Sequence, residues 1–508
     1  MLSGLVFLIW GDFHVQPWNE IRRSIIEYCS EHDGYKCGYC KKPNSNYSHG
    51  MWAHMMTVQD YQDLIDRGWR RSGKYCYKPL LDVICCPMYT IRCRALEFKT
   101  SKSQKKVMKR FNKFLMGQEE ISGESKVSGS NEDMTVDTEG REEFVESRRR
   151  HQDINIAGVD ISSIGQPVHY FPKETSEKVS AQNQTTSNTK FKDKKEDVAG
   201  PDPTKAPCKK AKQARRERKL EKLKKKGIDV SNIDNSNKNK EKQLEDFINE
   251  LQSNVKRNLE IKLVRTTPPS AEWLATAKET HQLYVKYQMA VHGDRPEKCT
   301  ESQFNGFLVQ SPLLEEHSEV GPPCGYGSFH QQYWLDGKLI AVGVLDILPK
   351  CVSSVYFMYD PQHMNLTLGT YGALREIAFT RHLHTLCPEL KYYYIGFYIH
   401  SCQKMRYKGN FYPSDLLCPE TYKWFPLQDC TQKLDIAPYS RFDPDIDSID
   451  EFCGTDSDMK HIPVLYKGEV IPFNVYKNIR KNVNIEEVVE YARLVGTKTI
   501  RRMIMARL

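Results

Sequence analysis

Cys37-Gly38-Tyr39-Cys40 puts two thiols on one tight turn, and Cys85-Cys86-Pro87 supplies two more from a second segment. Four thiolates suit a tetrahedral zinc ion or an iron–sulfur cluster, since both want soft ligands. Adjacent cysteines are unusual for zinc, whose half-sites prefer a spacer, so Cys37, Cys40, Cys85 and Cys86 read first as cluster ligands and second as a zinc site. The plain alternative is that some are small buried hydrophobes. Cys29, Cys76 and Cys93 lie nearby in sequence, and His49 and His54 could each replace a thiol, though each reads better as a structural histidine. The 16 cysteines of this chain are too few for a disulfide scaffold of 508 residues, which places the protein in a reducing compartment.

A second group of residues could serve transfer chemistry. Asp360 ends a strand-like run, where a carboxylate could accept an amine proton or bind a guanidinium, or simply start the turn at Pro361. Tyr359 and Tyr356 beside it could orient a substrate or pack in a core. Lys404, Arg406 and Lys408, interleaved with Tyr407 and Tyr412, suit phosphate or carboxylate recognition. Arg70 and Arg71 form a further basic pair near the cysteines. No Ser–His–Asp arrangement is visible, and no glutamine- or arginine-led Gly-x-Gly/Ala loop for coenzyme A. In its place stands Asn365 to Gly372, with Gly369 and Thr370 opening a helix whose free N–H groups could hold an anion.

These residues need elements to hold them. Val58 to Ile65 reads as a helix capped by Thr57 with Asp60 at its third position. Ser270 caps a helical run from Glu272 to Val291. Asp336-Gly337 between two apolar runs predicts a hairpin. Val352 to Tyr359 and Lys391 to Tyr398 read as strands, Thr370 to Leu383 as a helix, and Asp443 to Glu451 as an acidic surface loop. The class is α+β or mixed α/β. Composition divides the chain into a divergent segment 1–33, a cysteine-rich domain 34–98, a polar, partly disordered insert 99–258, and an ordered domain 259–508. The insert holds a basic run from Lys205 to Lys226, which suits a solvated helix, a localisation signal or nucleic-acid contact. The net charge of +9 makes a polyanionic partner plausible. Leu5 to Trp10 is apolar but too short to span a bilayer, so no membrane partner is expected and the protein is expected in the cytosol or nucleus. Oligomeric state is not legible.

Taken together these segments resemble the eukaryotic arginyl-tRNA–protein transferase family. The resemblance runs through the two cysteine pairs, Gly50 to His54, Thr57 to Gly73, Tyr89 to Arg92, Ser353 to Pro361, Leu368 to Tyr371, Ala373 to Ile377, Tyr393 to Ser401 and Lys404 to Trp424. It implies a GNAT-like acyltransferase fold in the C-terminal half. It also implies transfer of arginine from arginyl-tRNA to proteins with N-terminal Asp, Glu or oxidised Cys, making a degradation signal read by the ubiquitin system. By the same resemblance, Cys37, Cys40, Cys85 and Cys86 would bind an iron–sulfur cluster. Coenzyme A is not the expected donor.

Overall fold

A computed structural model describes residues 23–30, 34–118, 242–250 and 255–507. Segment 1–22 and the Lys205 to Lys226 run lie outside the described residues. Among the described residues, fifteen strands make two sheets. The strands are β1 Ile25–Cys29, β2 Ser48–Met55, β3 Arg70–Ser72, β4 Tyr75–Pro79, β5 Tyr89–Arg94, β6 Leu259–Thr267, β7 Gly327–Leu335, β8 Lys338–Ile347, β9 Cys351–Tyr359, β10 Tyr392–Tyr398, β11 Ser414–Leu417, β12 Trp424–Pro426, β13 Pro463–Tyr466, β14 Glu469–Pro472 and β15 Ile504–Ala506. The helices that matter for the site are α1 Val58–Ile65, α2 Lys102–Leu115, α3 Ala271–Tyr287 and α4 Leu368–Leu386.

Local signals set several of these elements. Thr57 accepts a hydrogen bond from the Asp60 backbone and starts α1. Ser270 does the same for α3 through Trp273, and α3 runs on into a wider π turn over Gln288–His292. The β7–β8 hairpin closes at Asp336-Gly337, both with positive φ, the conformation that a two-residue hairpin turn demands. Helix α2 lies inside the stretch whose composition is polar and lysine-rich. Ser101 and Gln104 form a reciprocal cap, and Met108, Phe111, Phe114 and Leu115 give it a buried face.

The larger sheet runs β12-β11-β5-β10-β9-β8-β7-β6. It is antiparallel from β6 to β9, and then α4 carries the chain across to β10, which pairs parallel with β9. Its fully buried residues, such as Val342, Leu345 and Tyr359, form the central core with Leu374 of α4. Strand β5, from the cysteine-rich block, inserts between β10 and β11. The smaller sheet likewise joins β1–β4 to the C-terminal strands β13–β15. The composition boundaries at 98 and 259 are therefore crossed by both sheets, and all described residues fall in one compact unit. Asp443 to Glu451 is an irregular segment, as its composition implies, tied back where Asp450 pairs with Arg67 at 2.6 Å. Among the described residues no helix is long and apolar enough to cross a membrane.

Candidate functional site

The four cysteine sulfurs converge: those of Cys37, Cys40, Cys85 and Cys86 all lie within 4.8 Å of one another. The backbone explains how two distant segments meet. Cys37 N–H donates to Lys42 O at 2.9 Å and Lys41 N–H returns to Cys37 O at 3.0 Å, which curls the first pair into its turn. Cys85 N–H then donates to Ser45 O at 3.1 Å, clamping the second pair against the first. Cys37 and Cys86 are buried, whereas Cys40 is exposed. Burial opposes ionisation of Cys40, but the hydrogen bonds it accepts from Lys42 and its neighbouring thiols bring it down to about 7. Burial pushes Cys85 up to about 11. Four soft donors with one low-lying thiolate fit a metal site. Cys29, Cys76 and Cys93 stay outside the group. His49 and His54 face Glu490 and Glu27 instead.

The corner shares its apolar wall with the end of β10. Tyr75, Tyr77, Met88, Phe397, Ile399 and Met405 pack together with Cys37 and Cys86. Beyond that wall lies a narrow cleft between β9 and β10. The two strands pair only at Cys351–Ser353 with Tyr392–Tyr394 and then part. The register of β10 breaks between Tyr394 and Phe397, where Gly396 takes φ +68°, a conformation costly for any residue with a Cβ. Two buried cations hold the parted strand. Arg70 reaches Gly396 O at 3.4 Å, and Lys408 Nζ donates to Phe397 O at 3.0 Å.

Tyr39, from the turn between the first two cysteines, reaches this cleft, as do Ser354 to Phe357, Gly369, Glu376 and Tyr407. Two buried polar atoms here have no hydrogen-bond partner among the described residues: Glu376 Oε1 and the Tyr407 hydroxyl. Tyr393 donates to the other Glu376 oxygen, with the Ser354 hydroxyl beside the pair. Gly343 makes room for Oε1, since a Cβ there would sit 2.6 Å from it. Burial raises the Glu376 carboxyl to about 7, against the Tyr393 and Ser354 hydrogen bonds that lower it. An unpartnered buried carboxylate oxygen in a cleft makes Glu376 a candidate binding or reacting group.

The other expected residues fall in several places. Tyr356 borders the cleft, while its hydroxyl donates to Gln288 Oε1 at 2.8 Å on the α3 side. Tyr359 is wholly buried, edge-on to Tyr287 at 5.1 Å. Asp360 is not brought to the cleft. It caps the short helix at Pro361 through Gln362 N–H and lies 3.4 Å from Lys338. Gly369 lines the cleft at the start of α4, with Thr370 next to it. Lys408 lines it but points its ammonium at the backbone. Lys404, Arg406 and Tyr412 are exposed, and Arg406 donates to His400 O at 2.8 Å.

Arg70 and Arg71, expected as a recognition pair, are turned inward. Arg71 clasps Asp346 through both its Nε and a terminal nitrogen, at 2.8 and 2.6 Å, and so ties β3 to β8. A basic pair in a sequence shows charge, not burial, and only the partners 275 residues away make burial tolerable. Glu376 and Tyr39 were missed by sequence reasoning. The available signal for Glu376 was a carboxylate on the inward face of a helix whose neighbours Ala373 and Ile377 are apolar.

A larger cavity of about 400 Å³ lies at the other end of the same two strands, by Lys350 and Tyr392. Several of its charges are paired: Arg92 with Asp415, Lys391 with Glu389, and Lys423 with Glu451.

Comparison with known proteins gives two family matches. Residues 35–106 match the model described as arginine-tRNA-protein transferase, N terminus, and residues 279–418 match its C terminus. The chain is 41% identical to arginyl-tRNA–protein transferase 1 of Drosophila melanogaster, over 95% of this chain and 99% of that one. It is 36% identical to arginyl-tRNA–protein transferase 1 of Arabidopsis thaliana, over 82% of this chain and 75% of that one. It is also 32% identical to an aspartate/glutamate leucyltransferase of Pseudomonas aeruginosa, over 34% of this chain and 63% of that one.

Proposed function

The chain belongs to the arginine-tRNA-protein transferase family, and from that premise we propose that the cleft between β9 and β10 is where arginine passes from tRNA to protein. The enzyme transfers arginine from arginyl-tRNA to protein N-termini. The buried Glu376 carboxyl, raised to about 7 and with its Oε1 unpartnered among the described residues, carries the placement.

Aminolysis of a tRNA ester requires a neutral amine, an oriented carbonyl and a stabilised oxyanion. The α-amine attacks the arginyl carbonyl. Glu376 takes the amine proton, and the Tyr407 hydroxyl donates to the developing oxyanion. The amide C–N bond forms, the ester C–O bond breaks, and the terminal ribose oxygen leaves with the proton that Glu376 took from the amine, which returns Glu376 to its starting form. No covalent enzyme intermediate arises. The first turn of α4 at Gly369 and Thr370 faces the donor's terminal phosphates with its free N–H groups. Acceptors are N-terminal Asp, Glu or oxidised Cys. The aspartate/glutamate specificity in the leucyltransferase's name supports the first two. The exposed cations Lys404 and Arg406, which flank the cleft-lining Met405 in sequence, meet their carboxylates. The product is then a ubiquitin-dependent degradation signal.

The antiparallel β6–β9 run, the α4 crossover and the splayed parallel β9–β10 pair support a GNAT-like reading of this sheet. For the thiol group, one tetrahedral ion has sulfurs about 3.8 Å apart, from metal–sulfur bonds of about 2.3 Å. Sulfurs all within 4.8 Å fit that frame, whereas a four-iron cluster holds its thiolates wider. We therefore favour one ion, zinc, held by Cys37, Cys40, Cys85 and Cys86, over an iron–sulfur cluster. When bound, it locks the turn that carries Tyr39. Iron plus acid-labile sulfide after anaerobic purification would reverse that preference.

The activity is tested by labelled-arginine transfer to a peptide beginning with Asp. Transfer is expected with arginyl-tRNA, and none after RNase treatment or to the N-acetylated peptide. Undiminished transfer under either condition would refute the reading.

A further inference from the structure

Helix α2 carries six cations and no carboxylate in 14 residues. Lys102, Lys106, Lys109 and Lys113 follow at steps of four, three and four, so they form one exposed row, with exposed Arg110 beside it. Among the described residues no carboxylate pairs with any of those four lysines. An ordinary solvated helix mixes signs and gains from opposite charges four residues apart. Here Lys102–Lys106, Lys105–Lys109, Lys106–Arg110 and Lys109–Lys113 are all like-charged, each costing about 0.2–0.5 kcal/mol. The first cation also sits at the positive end of the helix dipole. Packing and a few polar ties hold the helix in place against that repulsion: Phe111 stacks on Tyr371 at 3.9 Å with Met108, Phe114 and Leu115 buried around it, and Asn112 donates to Phe247 O at 2.8 Å.

The row also has a direction. Arg110 donates to Asn365 O at 2.8 Å and to Thr367 Oγ1 at 3.3 Å, the residues just before α4. Gly369, two residues on from Thr367, lines the cleft. At the C-terminal end of α2, one turn beyond Arg110, Arg257 covers the Phe114 ring at 4.2 Å and continues the positive surface. From Lys102 to Lys113 the row spans about 16 Å, at about 1.5 Å per residue. That places one cation every few ångströms, a spacing suited to the closely set phosphates of a nucleic-acid duplex.

We infer that the exposed face of α2 is a track for the phosphate backbone of the tRNA donor, leading its acceptor end to the β9–β10 cleft. This rests on the reading of that cleft as the transfer site. The self-repulsion of the row is relieved when phosphates neutralise it. The contact is with backbone and carries no sequence preference of its own.

The test is binding of uncharged tRNA to the full-length protein across about 50 to 300 mM salt, for the parent and for Lys106→Glu/Lys109→Glu/Lys113→Glu. The variant is expected to bind at least tenfold more weakly. Its log K against log salt should be shallower by about two to three, near 0.9 for each phosphate that is no longer neutralised. KM for arginyl-tRNA rises in step, while kcat at saturating donor and KM for the acidic peptide stay within about twofold. The corresponding Gln triple variant gives an intermediate loss, and serves alone if the Glu variant does not fold. Parent-like affinity and slope in either folded variant overturn the inference, as does a rise in peptide KM without one in tRNA KM. If the parent binds tRNA but transfers nothing, the transfer-site reading fails while the binding result still decides the track.

Discussion

Strands β9 and β10 end in two cavities that differ in every respect that matters for chemistry. At the paired end, about 400 Å³ is lined by side chains of which several carry ion-pair partners. Arg92 stacks on Tyr392 and Trp424 at 3.8 and 4.0 Å and pairs with Asp415. At the parted end the space is smaller, yet it contains a buried carboxylate oxygen and a phenol with no hydrogen-bond partner among the described residues. A site is marked less by volume than by polar groups the fold leaves unsatisfied. Leaving such a group unmade costs about 1–3 kcal/mol; at the paired end the unmade group is the neutral Thr421 hydroxyl, at the parted end it is a carboxylate oxygen.

The sharpest way to break this contrast is Glu376→Gln. Transfer should fall on the order of 10²- to 10⁴-fold with little change in either KM, the range expected for losing a general base. In the parent, kcat should rise with pH through about 7, because burial keeps Glu376 protonated below that point. The variant should lose this limb; a parent-like pH profile in it would move the base elsewhere. Stability has the opposite dependence. The folded state holds the Glu376 proton more tightly than the unfolded chain, so its contribution is present at low pH and declines as pH rises through about 7.

Next in size is the metal corner. Chelation, or Cys40→Ser, should lower Tm by several degrees, since binding at about a thousand times Kd stabilises by about 4 kcal/mol. Metal analysis should show one ion per chain in the parent and almost none in the variant. Full metal content in Cys40→Ser would dismiss that ligand set. Asp360→Ala should then cost about 0.5–2 kcal/mol in urea unfolding through the lost cap, with kcat nearly unchanged. A large loss of kcat at constant stability would put Asp360 at the chemistry after all. The smallest effect belongs to the larger cavity. Lys423→Ala removes a half-exposed pair with Glu451 and should shift stability by no more than about 0.5 kcal/mol, leaving transfer intact. Loss of transfer there would reverse the assignment of the two ends.

Much of the local structure was legible before any coordinates. The Thr57 and Ser270 caps, the Asp336-Gly337 hairpin and the strand over Val352 to Tyr359 depend on residues a few positions apart. So does the grouping of the thiols within each pair. Helix α2 was harder: its lysines lower the average hydrophobicity, and only the spacing of Met108, Phe111 and Leu115 records a buried face.

The sequence by itself determined which chemistries were available: four soft ligands, a family signature and the cations of two loops. Only the tertiary structure decided where each would act. Arg70 meets Gly396 across 326 positions and Arg71 meets Asp346 across 275, so two arginines that read as recognition residues became internal braces. Glu376 became exceptional only when β10 parted from β9 above it. The reason is physical. Residue type fixes what a side chain can do, but its pKa and exposure depend on the dielectric and partners around it, and sheet order brings those from far along the chain.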